Sequence, residues 1–310
     1  MSVTPAVCLM GPTAAGKTGV AVALAKRFPF ELVSVDSALV YRGMNIGTAK
    51  PDIETLRRVP HRLIDIREPE ESYSAGEFVR DAKAAIAEIG AAGRIPLLVG
   101  GTMLYFRALT EGIAELPRAA AEVRSAIDRD AARVGWPALH RRLALIDPAA
   151  AERIAPADKQ RIQRALEVYM STGETLTALQ QAAVRRAPAA RFIRFALNPL
   201  PRAELHRRIE QRLEAMLEDG FVAEVSRLMA RPGLRRDAPA MRAVGYRQYW
   251  AHLSGEYDAD EAFRRTLYAT RQLAKRQLTW LRKTRETMFV DPLEASAIDA
   301  ISTELAGEFG

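Results

Sequence analysis

A phosphate-loop motif at residues 11–18 constrains the fold of this 310-residue chain more than any other segment. Its sequence, GPTAAGKT, matches the pattern G-x-x-x-x-G-K-[ST] at every fixed position. The apolar residues 6–10 before it predict a buried strand, and residues 19–26 predict the helix that follows. In this arrangement backbone N–H groups, the helix dipole and a lysine face one concave surface that suits an anion. The motif therefore predicts a phosphate or diphosphate site, without indicating which molecule carries the phosphate.

The motif also predicts which residues form that site. The predicted diphosphate-binding residues are Gly11, Pro12, Thr13, Ala14, Ala15, Gly16, Lys17 and Thr18. The hydroxyl of Thr18 is in addition the predicted protein ligand of a Mg²⁺ ion.

Alternation of strand and helix signals predicts an α/β fold with a parallel sheet of the P-loop NTPase type. The predicted strands are residues 6–10, 31–35, 62–66, 95–99, 191–197 and 287–290. Strand signals are missing from residue 119 to residue 181, where alanine, arginine and helical spacing predominate. We therefore expect residues 1–117 and 190–310 to form the core, residues 118–189 to form a helical insertion, and residues 182–188 to form a mobile linker.

Two further polar positions follow predicted strands of this sheet. Asp36 comes after residues 31–35, and Thr102 comes after residues 95–99 and two glycines. Ligands of open α/β sheets bind at the carboxyl ends of the strands, so both residues should lie near the phosphate loop. Asp36 could ligate magnesium or act as a general base, and Thr102 could donate to a phosphate or leaving group. Capping of a helix is the alternative role for each.

Composition narrows the class of partner. The net charge is +7, and arginine, glutamine and aromatic residues are mixed within residues 158–166, 241–248 and 271–285. Such mixtures suit phosphate contacts combined with base stacking and favour a nucleic-acid partner.

Cys8 is the only cysteine, which excludes disulfides and cysteine-ligated zinc sites. With no signal-peptide pattern, no run of about 20 apolar residues and no apolar heptad repeat, we expect a soluble, cytoplasmic monomer.

Taken alone, these residues leave open a kinase or a transferase that uses a phosphate loop. The order of motifs along the chain goes further, because it resembles the bacterial tRNA dimethylallyltransferases, also called tRNA isopentenyltransferases. The resemblance runs from about residue 6 to residue 290. It is carried by residues 11–18, 34–41, 42–51, 60–66, 98–109, 160–173, 240–248 and 271–282. Asn45 and Arg62 depart from the family pattern, where an aspartate and a histidine are usual.

The resemblance implies transfer of a dimethylallyl group from dimethylallyl diphosphate to N6 of the adenosine 3′ of the anticodon, at tRNA position 37, with release of diphosphate. It implies that Lys17, the loop amides and Mg²⁺ stabilise the leaving diphosphate. Asp36 would accept the proton of the amine, and Thr102 would donate a hydrogen bond on the leaving-group side. Arg124 or Arg212 would add positive charge near the diphosphate or the RNA.

The resemblance further implies that the insertion and the basic C-terminal helices hold the anticodon stem-loop. The residues expected to contact tRNA are Asp36, Ser37, Ala38, Leu39, Thr102, Arg124, Gln160, Arg161, Ile162, Gln163, Arg164, Arg242, Gly245, Tyr246, Arg247, Lys275, Arg276, Gln277 and Arg282. Three alternatives remain at this point: a small-molecule kinase that uses ATP, a prenyltransferase acting on free adenine nucleotides, and a non-catalytic RNA-binding module with a relic nucleotide site.

Overall fold

The structure is a computed structural model that describes residues 5–112, 116, 121–185, 191–199, 201–294 and 296–309. It contains one six-stranded sheet, whose strands are β1 Ala6–Met10, β2 Phe30–Val35, β3 His61–Arg62, β4 Ile95–Gly100, β5 Phe192–Leu197 and β6 Thr287–Val290. The strand order is β3-β2-β4-β1-β5-β6, and every pairing is parallel. The α/β fold with a parallel sheet is therefore confirmed, and the carboxyl ends of all strands lie along one edge.

The described helices follow the predicted pattern of strand and helix along the chain. They are α1 Lys17–Ala25, α2 Ile53–Arg58, α3 Ala75–Ala91, α4 Met103–Glu111, α5 Ala121–Val134, α6 Trp136–Ile146, α7 Pro148–Arg153, α8 Lys159–Thr172, α9 Leu176–Arg185, α10 Arg202–Glu218, α11 Phe221–Met229, α12 Tyr246–Leu253, α13 Ala259–Leu281 and α14 Ala297–Phe309, with a short 3-10 helix at Ala240–Arg242. None of these described helices is both long enough and apolar enough to cross a membrane.

Helices α1 and α14 pack on one face of the sheet. Side chains of a strand alternate between the two faces, so Val7 and Leu9 of β1 point to the same side. There they join Leu24 of α1 and Ile301 and Leu305 of α14 in one buried cluster. This packing fixes the start of α1 directly behind the end of β1, which places the phosphate loop at the edge where the strands end.

The third strand is shorter than the sequence suggests. Residues 62–66 were expected to be extended, but β3 covers only His61 and Arg62. Leu63 and Asp65 have φ angles of 64° and 54°. A left-handed backbone at two such positions ends the strand, because extended residues need negative φ.

The chain divides into two compact units. The sheet unit contains Met1–Phe106 and Ala190–Gly310, and the insertion contains Arg107–Ala189. The first division thus falls within α4, earlier than the expected boundary at residue 117. The insertion has its own apolar core, in which Ile127, Leu143 and Ile162 are buried. Residues 182–185 of the expected linker belong to α9, while residues 186–188 lie outside the described residues.

Candidate functional site

The carboxyl ends of β1, β2 and β4 border a cavity of about 820 Å³, called the strand-end cavity below. It is lined by the phosphate loop, by the segments that follow β2 and β4, and by side chains of α10 and α13. All of these belong to the sheet unit. The structure thus brings Lys17, Asp36 and Thr102 together in one cavity.

The phosphate loop has the backbone geometry of an anion site. Ala14 and Gly16 have φ angles of 61° and 82°, in the left-handed region. This costs an alanine about 1–2 kcal/mol, and it turns successive N–H groups toward one side. Helix α1 begins at Lys17, so its first N–H groups lack partners within the helix and also face the loop. The Nζ of Lys17 donates to the carbonyl oxygens of Gly11 at 3.0 Å and Pro12 at 2.6 Å.

Two cationic side chains make the cavity positive. Burial, followed by the neighbouring charge of Arg212, lowers the pKa of Lys17 to about 8, while Asp36 opposes the shift. Burial likewise lowers the pKa of Arg212, and Asp36 opposes that shift as well. Arg212 extends from α10 and its Nη1 donates to Thr13 Oγ1 at 3.4 Å. A bound polyanion would relieve the repulsion between these two cations, so the cavity favours such a ligand.

Asp36 is held at the end of β2 by its own loop. Its Oδ1 accepts hydrogen bonds from the backbone N–H groups of Ala38 at 2.8 Å and Leu39 at 3.3 Å. Among the described residues, no hydrogen-bond partner contacts Oδ2. One carboxylate oxygen therefore orients the side chain, and the other remains available to a ligand in the cavity.

Thr102 lies beside the Asp36 segment. Its Oγ1 accepts from the backbone N–H of Ser37 at 3.0 Å and contacts Ser37 Oγ at 3.4 Å, and its N–H donates to the carbonyl of Val35 at 3.2 Å. Gly100 permits this approach, since a Cβ there would lie 2.0 Å from the Val35 carbonyl oxygen. The ends of β2 and β4 are consequently fixed to each other around the cavity.

The side chains present suit a magnesium ion that is shared with a substrate. Thr18 is exposed at the first turn of α1 and lines the cavity. Within the described part of the chain, no cluster of three or more His, Cys, Asp or Glu residues could hold a metal ion by itself. Mg²⁺ often binds through one or two protein oxygens together with substrate phosphates, and Thr18 with Asp36 nearby fits that pattern.

A buried carboxylate, which the sequence reading missed, supports another wall of the cavity. Glu224 of α11 is 2% exposed. It accepts from the backbone N–H groups of Asn45, Ile46 and Gly47 at 2.9, 2.9 and 3.1 Å, and from the hydroxyl of Tyr246 at 2.5 Å. Gly47 lines the cavity and packs so closely that a Cβ there would lie 2.2 Å from the Phe221 ring. A glutamate on the apolar face of FVAEVSRLM is the signal that could have revealed this contact.

We expect Glu224→Gln to lower the free energy of unfolding by about 2–4 kcal/mol, because it removes a buried charge and turns an amide N–H₂ toward N–H donors. Chemical denaturation would measure the change. Glu218→Gln, at an exposed position near the end of α10, is the control and should change stability by less than about 0.5 kcal/mol. Equal stabilities of the two variants would contradict this account of Glu224.

Most of the C-terminal residues expected at an RNA surface are accessible. Arg242, Arg247, Lys275, Arg276 and Arg282 are exposed, and Arg242 and Arg276 also line the strand-end cavity. A positively charged side chain at the mouth of a cavity can attract a polyanion to it.

The structure corrects two of the expected RNA contacts in the sheet unit. Tyr246 is 0% exposed and its hydroxyl donates to Glu224, so it belongs to the core. Gln277 is 9% exposed, and both ends of its amide already have protein partners. Gly245, beside Tyr246, lines the cavity through its backbone.

The insertion shows a similar mixture. Gln160 and Arg161 are exposed on α8, but Ile162 is 0% exposed within the apolar core and cannot contact RNA. Arg124 Nε donates to the buried carboxylate of Glu167 at 2.9 Å, and Arg164 Nη1 donates to it at 3.4 Å. Both arginines therefore compensate a buried charge of the insertion. Gln163 Nε2 donates to Asp128 Oδ1 at 3.1 Å.

Comparison with known proteins decides the family. Residues 39–284 match the model of a family described as IPP transferase. A tRNA dimethylallyltransferase from Thiobacillus denitrificans is 55% identical over 309 residues, covering 98% of each chain. A tRNA dimethylallyltransferase from Burkholderia mallei is 56% identical, covering 97% of this chain and 95% of the relative. The chain belongs to the IPP transferase family.

Solved structures of the IPP transferase family have the same fold. A full-length tRNA isopentenylpyrophosphate transferase from Bacillus halodurans matches with a TM-score of 0.73 and 36% identity, covering 98% of this chain and 96% of that one. The corresponding enzyme from Staphylococcus epidermidis matches with a TM-score of 0.70 and 31% identity, covering 98% and 99%. A eukaryotic dimethylallyltransferase matches at a TM-score of 0.79 with 24% identity, covering 97% of this chain and 77% of that one, which supports the fold alone.

The structure accommodates both departures from the pattern of the IPP transferase family. Asn45 Oδ1 accepts from the Nζ of Lys50 at 2.8 Å, and Asp65 supplies the carboxylate that pairs with this lysine at 2.5 Å. Arg62 Nε forms an ion pair with Glu31 at 2.5 Å, and its Nη1 pairs with Glu88 at 2.7 Å. In both places the charges are balanced by neighbouring side chains.

Proposed function

We propose that this IPP transferase moves a dimethylallyl group from dimethylallyl diphosphate to N6 of the adenosine at tRNA position 37 and releases diphosphate. The observation that carries the proposal is the meeting of Lys17, Asp36 and Thr102 in the strand-end cavity. Relatives named tRNA dimethylallyltransferase, more than half identical over nearly the whole chain, support it. On this proposal the protein works on tRNA in the cytoplasm, and we expect it to do so as a monomer.

The phosphate loop binds the diphosphate of the donor. Loop N–H groups and the N-terminus of α1 contact its oxygens, and the ammonium group of Lys17 exchanges the carbonyls of Gly11 and Pro12 for phosphate oxygens. Arg212 adds a second positive charge from α10. These groups stabilise the negative charge that grows on the leaving diphosphate as the carbon–oxygen bond breaks. A Mg²⁺ ion, held by Thr18 and the diphosphate, would supply further charge neutralisation when bound.

Asp36 acts as the general base for the acceptor adenosine. The bond from N6 to C1 of the dimethylallyl group forms as the bond from C1 to the diphosphate oxygen breaks. The electron pair of the broken bond stays on the diphosphate, and the N6 proton passes to Oδ2 of Asp36. Thr102 fixes the Asp36 segment through Ser37 and offers a hydroxyl beside the reacting atoms. The adenine must leave the base stack to enter the cavity, which costs a few kcal/mol.

A transfer assay tests this function. Purified protein and Mg²⁺ are mixed with radiolabelled dimethylallyl diphosphate, and unmodified tRNA is added to one tube and AMP to another. We expect label in tRNA at the adenosine beside the anticodon. Label in AMP alone would select a prenyltransferase of free nucleotides. With no label in either tube, ATP turnover would identify a kinase, and its absence would leave an RNA-binding module.

We expect the double variant Arg161→Glu with Arg276→Glu to weaken tRNA binding and to flatten its dependence on salt. Each lost phosphate contact lowers the slope of log K against log salt by about 1. Filter binding between 50 and 200 mM salt would measure both. The matched control is Arg133→Glu with Arg264→Glu, since these two arginines are also exposed, one in the insertion and one on α13. Equal slopes for the two double variants would move the RNA surface elsewhere.

A further inference from the structure

The side-chain amide of Gln277 connects two loops of the strand-end cavity. Gln277 lies on α13 and is 9% exposed. Its Oε1 accepts from the backbone N–H of Thr13 in the phosphate loop at 2.9 Å. Its Nε2 donates to the carbonyl oxygen of Gly101, directly before Thr102, at 2.8 Å. One planar group therefore holds the loop after β1 and the loop after β4 at a fixed separation.

The chemistry of the two partners fixes the orientation of this amide. A backbone N–H requires an acceptor and a carbonyl requires a donor, so the oxygen must face Thr13 and the nitrogen must face Gly101. The approach is close, because a Cβ at residue 101 would lie 2.6 Å from Gln277 Nε2 and 3.3 Å from the carbonyl oxygen of Gly11. A glycine at this position leaves the space that the amide occupies.

We propose that Gln277 is a positioning residue for dimethylallyl transfer, which sets the distance between the diphosphate held by the phosphate loop and the acceptor side formed by Thr102 and Asp36. The inference rests on the proposed function. It assigns to the transfer centre a residue of the basic helix that the motif pattern assigned to RNA. The neighbouring residue Arg276 is exposed, so adjacent positions of α13 have different surroundings: residue 276 faces the surface, and residue 277 connects the two loops.

The decisive variant is Gln277→Glu. Its carboxylate still accepts from the Thr13 N–H but has no donor for Gly101, and its charge faces that carbonyl oxygen. When protonated, the acid has one acceptor and one donor and restores both hydrogen bonds. Burial and the neighbouring charge of Asp36 raise the pKa of such a carboxyl group, whereas the cations Lys17 and Arg212 of the same cavity lower it. Because residue 277 is only 9% exposed, we expect burial to prevail and protonation to fall within the assay range. The variant should therefore be impaired at high pH and recover as pH falls.

The measurement is kcat at saturating dimethylallyl diphosphate and tRNA, compared with the kcat of wild type at each pH. We expect Gln277→Glu to run about 10–100-fold slower than wild type at pH 8.5 and within about threefold at pH 6, since a small misplacement of reacting groups costs up to about 100-fold. Gln277→Met, which keeps the length but forms no hydrogen bond, should be slower by a similar factor at both pH values. The dissociation constant for tRNA should stay within about twofold for both.

Gln211→Glu is the matched control, because it makes the same change at an exposed residue of α10 that is not among the described residues lining the cavity. It should match wild type at both pH values. A ratio for Gln277→Glu that does not change with pH overturns the proposal, as does weaker tRNA binding with unchanged kcat. If that variant does not fold, wild-type kcat in Gln277→Met overturns it. Absence of transfer by wild type instead overturns the proposed function itself.

Discussion

Asp36→Asn should lower kcat for dimethylallyl transfer by about 10²–10⁴-fold, which is the range ascribed to a general base. Asparagine keeps an oxygen that accepts from the N–H groups of Ala38 and Leu39, so the loop geometry is preserved. It removes the capacity to take the N6 proton. Since the base acts in the transition state, the affinity for tRNA should stay within a few-fold. Single-turnover rates and tRNA binding, measured on the same preparation, test both parts.

Asp52→Asn is the control for this variant. Asp52 caps α2 by accepting from the backbone N–H of Thr55 at 2.7 Å, so the substitution repeats the chemistry of an aspartate that accepts from backbone N–H groups. Asp52 is not among the described residues that line the strand-end cavity. We expect its kcat to equal that of wild type. Full activity of Asp36→Asn would exclude Asp36 as the base.

Lys17→Met should reduce kcat/KM for dimethylallyl diphosphate by about 10²–10³-fold, comparable to the loss of one preorganised donor at a site of developing charge. Methionine retains most of the apolar stem, so the packing of α1 is kept. The variant lacks the ammonium group that donates to Gly11 and Pro12 in the free protein. Steady-state kinetics with varied donor and saturating tRNA give the value, and Lys26→Met, at the exposed end of α1, is the control.

The pH dependence gives an independent readout of Lys17. Its pKa is lowered to about 8, chiefly by burial, so the cation is present below pH 8 and is lost as pH rises above it. A diphosphate binds the charged form better. Wild-type KM for the donor should therefore increase between about pH 7.5 and 9, whereas Lys17→Met should show a flat KM there. Kinetics of Lys17→Met equal to wild type would mean that the loop binds some other group.

The features that the sequence predicted are those fixed by neighbours along the chain. The phosphate loop, β1 and α1 follow from one local pattern, and Asp36 and Thr102 follow from the rule that parallel strands end at one edge. The prediction of a strand over residues 62–66 was wrong, because Leu63 and Asp65 have a left-handed backbone and the apolar residues of this segment do not indicate it. Local hydrophobicity reports the burial of a residue but not the sign of its φ angle.

The contacts that the sequence could not predict join distant parts of the chain. Gln277 and Thr13 are 264 positions apart, and Glu224 and Asn45 are 179 apart. Each sequence segment that was predicted to contact RNA also contains residues on the side of its helix that faces the protein core. Ile162 and Gln277 lie inward on α8 and α13, while Arg161 and Arg276 lie outward. Only the packing of each helix decides which residues of a segment reach solvent.

The place of the insertion in the chain allows it to fold before the sheet is complete. β1 pairs with both β4 and β5, and Leu9 lies opposite Phe195 in the second of these pairings. The whole of Arg107–Ala189 is synthesised before that partner strand leaves the ribosome. The insertion is continuous in sequence and has a core of its own, so it can fold first. Until β5 has left the ribosome, β1 lacks its partner strand on one side, and the loop after β1 that carries Lys17 follows a strand paired only with β4.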